Sequence, residues 1–137
     1  MIRQLWNKTR ASIEQDAPKN KRQLGQHYED LAQAYLGRHG LSTLTKNYTV
    51  KCGELDLIMQ DATCLVFVEV KYRKNRQYGH AQEMVTASKA KKLQKAAMVW
   101  LMKNGLSPYD TEFRFDVVAI HNSGEDIDWI KNAITQG

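Results

Sequence analysis

Asp56, Glu69 and Lys71 are the side chains whose types and spacing could do chemistry together. Glu69 and Lys71 lie in "VFVEVKYR", residues 66–73, whose Val and Phe residues suit a buried strand. Asp56 lies in the similar "GELDLIM", residues 53–59. Burying any of these charges unpaired would be costly. Side chains alternate faces along a strand, so Glu54, Asp56 and Ile58 share a face, and so do Phe67, Glu69 and Lys71. A short turn around Asp61-Ala62 joins the two strands as an antiparallel hairpin. If its loop holds an even number of residues, the two faces coincide. Asp56 then stands opposite or diagonal to Glu69, within roughly 5–8 Å between Cβ atoms. An odd loop would put them on opposite faces.

Two carboxylates this close repel unless a cation lies between them. A hard divalent ion suits all-oxygen ligands, and Mg²⁺ favours one or two carboxylates together with water and phosphate oxygens. Mg²⁺ or Mn²⁺ is the expected occupant. Such an ion stabilises charge on a phosphoryl group and lowers the pKa of bound water. Lys71 could orient that water or stabilise the transition state. Glu54 is a possible further ligand or supporting group near the strand start. A simpler reading pairs Glu69 and Lys71 with each other, or with Asp56, on an exposed sheet face.

These residues need elements to position them. Leu24, Tyr28, Leu31 and Tyr35 recur at helical spacing, which predicts a helix over 24–39 ended by Gly40. Glu29 falls at the edge of that stripe and Asp30 points toward water. Strands are expected over 41–50, 54–60 and 64–71. A second helix follows over 86–103, with Thr86 as cap and Ala90, Leu93, Ala97, Trp100 and Leu101 as its buried stripe. Residues 112–120 alternate as a strand, and 127–134 read as an edge strand or a short helix. The order α-β-β-β-α-β implies an α/β or α+β sandwich, a mixed sheet flanked by helices. Residues 1–22 read as a flexible lead-in and 23–137 as one domain.

The charge distribution points to a polyanion. The chain carries a net +5, yet the stretch 71–103 alone is +8, with nine Lys/Arg and one acid. No apolar run is long enough to span a bilayer and the start of the chain has no apolar signal-peptide core, so a cytoplasmic protein is expected. Cys52 and Cys64 show neither metal spacing nor a disulfide framework.

"GELDLIM" followed by "VFVEVKYR" resembles the active-site hairpin of the PD-(D/E)xK nuclease superfamily, which includes restriction endonucleases and Holliday-junction resolvases. The closer resemblance is to the YraN-like family of uncharacterised bacterial proteins. It extends over "GQHYEDLAQAYL", "KNYTVKCGELDLI", "FVEVKYR", "GHAQEMVTASKAKKLQKAA" and "RFDVV". The resemblance implies a restriction-endonuclease-like fold, with Asp56 and Glu69 as metal ligands and Lys71 as the catalytic lysine. Glu29 matches the helix acid of resolvase-like members, which supports the metal or its water. Leu55 stands where the superfamily's name has Pro. Gln94 is followed by Met98 rather than by a Tyr four residues on, unlike RecB-type nucleases. By analogy with resolvases, a homodimer is expected.

The sequence therefore reads as a metal-dependent phosphodiesterase acting on DNA, branched or single-stranded. Arg73, Lys74, Arg76, Lys89, Lys91, Lys92 and Lys95 would hold phosphates without reading sequence. The rival is a nucleic-acid-binding module that keeps the nuclease fold and works with a partner; a third reading is a protein-interaction domain. Asp116 reads as a hydrogen-bonded structural acid and His80 as an exposed loop histidine. Tyr72 and Tyr78 either stack on bases or pack against the protein.

Overall fold

The computed structural model describes residues 20–73, 85–121 and 124–134. Helix α1 spans Lys21–Arg38, with the Asn20 side chain accepting from Gln23 N at 2.9 Å. Strands β1 (Ser42–Val50), β2 (Gly53–Asp61) and β3 (Cys64–Arg73) follow. Helix α2 (Ala87–Lys103) is capped by Thr86, whose side chain accepts from Lys89 N. Strands β4 (Phe113–His121) and β5 (Asp126–Ile130) complete the order α-β-β-β-α-β-β. The five strands lie in sequence order in one mixed sheet. β3 and β4 are parallel, joined through α2, and the other neighbours are antiparallel.

One helix covers each face, because successive residues of β3 feed different cores. Phe67 packs with Leu93, Ala97, Trp100 and Phe115 beneath α2. Val66 and Val68 pack with Tyr28, Ala32, Leu36 and Val118 beneath α1. The mixed α+β sandwich is thus as expected. No helix among the described residues is long and apolar enough to cross a membrane, and both cysteines are free.

Several details differ from the sequence reading. Helix α1 starts at Lys21, and its buried line is Tyr28, Ala32 and Leu36. Leu24 is exposed, and Leu31 and Tyr35 are half-buried. Gly40, with φ +95°, follows the helix end as expected. β4 does not alternate: Phe115 to His121 is buried without interruption, because β4 lies between two strands with packing on both faces. Residues 127–134 resolve into an edge strand ending at Ile130 rather than a helix. Asp116 is fully buried and accepts from Arg114 Nε (3.0 Å), Trp129 Nε1 (2.9 Å) and Asn132 N (2.9 Å). It is the structural acid expected, tying β4 to β5.

Candidate active site

The hairpin loop is Ala62-Thr63, two residues, since Asp61 pairs with Cys64. Ala62 takes the turn with φ +55°. The even loop brings the acid-bearing ends of the two strands together. Pairing runs from Asp61–Cys64 to Leu57–Val68 and then stops. Continued one step, that register would place Asp56 opposite Glu69. At this point the Asp56 side chain replaces the ladder: its Oδ2 accepts from Val70 N at 2.8 Å. β3 meanwhile stays paired to β4, with Glu69 beside Val117 and Lys71 beside Ala119. The cleft therefore forms where β2 parts from a β3 held rigid on its other edge.

The strict alternation expected for β2 also breaks here. Leu55 packs with Ile58 beneath α2, whereas Leu57 packs beneath α1. Asp56 sits at that irregularity, so its side chain can turn into the gap between the strands.

Glu69 is almost fully buried. Its Oε1 lies 3.3 Å from Lys71 Nζ and 3.8 Å from Lys89 Nζ. Its Oε2 is buried and has no hydrogen-bond partner among the described residues. Burial and the charge of Asp56 push the Glu69 carboxyl up to about 7, against the pull of the two lysines. Burial also raises Asp56, partly offset by the Val70 N–H. Glu29 reaches in from α1, and burial, then Asp56, push it up to about 8. Glu54 stands exposed on the rim. Glu29, Glu54, Asp56, Glu69, Lys71 and Lys89 all border one cleft of about 330 Å³.

Of the phosphate-binding candidates, Arg73, Lys91, Lys92 and Lys95 are exposed. Lys89 is half-buried and turns toward Glu69. Lys74, Arg76, Tyr78 and His80 lie outside the described residues. Tyr72 packs rather than standing free: its ring stacks on Tyr28 with centroids 4.0 Å apart.

Sequence reasoning missed Asn47. Its carboxamide lies 2.7 Å from Glu29 Oε2. Asn47 Nδ2 donates to Gln26 Oε1 at 3.1 Å, and Gln26 Nε2 donates to Asp30 Oδ1 at 2.9 Å. Lys46 Nζ donates to the same Asp30 oxygen at 3.0 Å. With its nitrogen engaged by Gln26, Asn47 presents oxygen to Glu29, which is satisfied when Glu29 carries a proton. An ionised Glu29 calls for the amide to turn over, since amide nitrogen donates and oxygen accepts. The available signal was an Asn, a poor strand former, in the middle of a strand.

The donor set fits a hard cation. It is all oxygen, its acids are raised by burial first and, for Glu29 and Glu69, by the charge of Asp56 second, and one buried carboxylate oxygen lacks a partner among the described residues. Among the described residues no three His, Cys, Asp or Glu side chains form a cage by themselves. Asp56 and Glu69 could hold such an ion with water and phosphate oxygens completing its shell, the mode Mg²⁺ favours.

Residues 28–120 match the family described as "Uncharacterised protein family UPF0102". A UPF0102 protein of Aliivibrio salmonicida is 59% identical over 118 residues, covering 86% of this chain and 96% of that one. One from Vibrio vulnificus is 56% identical over 118 residues, covering 86% and 97%. One from Vibrio cholerae is 53% identical, with the same coverage.

Proposed function

We propose a function for this chain, which belongs to the uncharacterised protein family UPF0102: a divalent-metal-dependent phosphodiesterase that hydrolyses DNA, branched or single-stranded. The observation that carries this reading is the meeting of Asp56, Glu69 and Lys71 at one cleft where two strands part.

Asp56 and Glu69 would hold Mg²⁺ or Mn²⁺. When bound, the ion supplies charge stabilisation at the phosphoryl oxygens and a more acidic water. The Lys71 ammonium opposes the negative charge that builds on those oxygens. Glu29, from the facing helix, accepts in its ionised form the proton that the attacking water loses. Water oxygen bonds to phosphorus, one P–O ester bond breaks, and the leaving oxygen takes up a proton from solvent. Arg73 and the outer lysines of α2 hold neighbouring phosphates without reading bases. Two copies, each with one cleft, would suit a branched substrate.

A second reading keeps DNA binding and omits cleavage. What favours it is that Lys71 and Lys89 already lie 3.3 and 3.8 Å from Glu69, where a metal ion would have to bind. A cleavage assay separates the two. Linear, single-stranded, flapped and four-way DNA would be offered with Mg²⁺ and with Mn²⁺. Metal-dependent cleavage of at least one substrate is expected. Lys71→Met should reduce it by on the order of 10²–10³-fold while DNA binding in Ca²⁺ changes little. Salt-dependent binding with no cleavage on any substrate would establish the binding module instead.

A further inference from the structure

Asn47 is one of three described non-glycine residues with positive φ, at +52°, and the only one of them inside a regular strand. The other two, Ala62 and Asn132, occupy turns. A left-handed residue within a strand is uncommon, and Asn tolerates the conformation better than most. Its place is specific. Lys46 pairs with Leu57 and Tyr48 with Leu55, so Asn47 stands beside Asp56. The irregularities of β1 and β2 therefore meet at one point, next to the cleft.

From that point the carboxamide of Asn47 reaches Glu29 at 2.7 Å. The amide is itself held from behind by Gln26, which is held by Asp30, which is paired to Lys46 of the same strand. Two turns further along α1, Gln33 Nε2 donates to Thr43 Oγ1 at 2.9 Å. Helix α1 is thus tied to β1 by polar contacts on the flank that carries Glu29. A strand residue with ordinary φ would project its side chain to one face of the sheet. The left-handed turn at Asn47 redirects it toward the helix.

We infer that Asn47 is a positioning residue, which sets the Glu29 side chain against Asp56 through its left-handed backbone and its carboxamide. This deepens the phosphodiesterase reading and rests on it for the part that concerns catalysis. Backbone and side-chain roles can be separated. Asn47→Gly keeps the positive φ at no steric cost and deletes only the amide. Asn47→Asp keeps the shape and the tolerance of that φ but sets a second acid against Glu29.

The test is single-turnover cleavage by wild type, Asn47→Gly, Glu29→Gln and the double variant, beside a DNA-binding titration in Ca²⁺ and urea unfolding of all four. Asn47→Gly should stay folded, with a cooperative urea transition displaced by the loss of the contact to Glu29, and bind DNA as wild type does. Its cleavage should fall by about 10²-fold, as expected when a catalytic group is misplaced by about 1 Å. Adding it to Glu29→Gln should cost little more, because the group it positions is already gone. Asn47→Asp should be impaired at least as much as Asn47→Gly. Wild-type cleavage by Asn47→Gly, or fully multiplicative losses in the double variant, would overturn the inference. If wild type cleaves nothing, the phosphodiesterase reading fails, and the urea midpoints decide the positioning contact on their own. Shifts of Asn47→Gly and Glu29→Gln that are not additive support it, and additive shifts overturn it.

Discussion

At the scale of residues, four carboxyl groups and three lysines border one cleft, and the protons of its buried acids record it. Glu29 is pushed up to about 8 and Glu69 up to about 7, each by burial first and Asp56 second. The ordinary value for both is 4.5. Folding therefore tightens proton binding at both groups, and the folded state holds more protons than the unfolded chain between those limits. The stability they contribute is fully present below about pH 4.5 and is lost as pH rises toward about 8. In metal-free buffer, the stability of wild type relative to Glu29→Gln should fall from pH 5 to pH 8.5, read from urea midpoints. A difference that stays flat or rises would mean Glu29 is an ordinary solvated acid. Asp56, Glu69 and Lys71 were legible in the sequence because charges inside apolar strands are costly and demand a reason. Asn47 and Lys89 were harder to see. Lys89 shares its helix with exposed lysines, and nothing in its spacing signals that its ammonium turns toward Glu69.

At the scale of elements, the site depends on how closely β2 approaches α2. A Cβ built on Gly53 would lie 2.6 Å from Lys92 O and 3.1 Å from Lys92 C. That neighbour is helix backbone and cannot swing aside. Gly53→Ala must push the start of β2 off α2, and it should cost about 1–3 kcal/mol of stability, as overpacking does. A melting temperature equal to wild type would show that the strand end has slack. The hairpin and its register were legible from period-two patterning and a short turn. The break of alternation at Leu55 was not, because Leu is apolar and fits either core. Nor was the continuous burial of β4, which follows from its place between two strands rather than from its own residues. In α1 the apolar pattern was read one step round the helix. Ala32 is small, yet it marks the line where the helix lies closest to the sheet.

At the scale of the whole molecule, the cleft opens beside a basic face. Lys91, Lys92 and Lys95 stand exposed on the outer side of α2. If that face binds DNA, affinity should fall steeply with salt, by roughly 0.9 in log K per log salt for each phosphate contacted. Replacing all three lysines by Ala should make the slope shallower by up to about three on duplex DNA. A wild-type slope in the triple variant would mark the face as solvated surface only. The architecture was legible as a whole, because the order of elements leaves few ways to cover both faces of one sheet. Everything proposed for the cleft depends on Asp56 and Glu69 forming a cation site, which titration calorimetry with Mn²⁺ on wild type and Glu69→Ala can decide. Wild type should bind measurably, and the variant should lose most of that affinity while remaining folded. Equal Mn²⁺ affinity in the two proteins would contradict it.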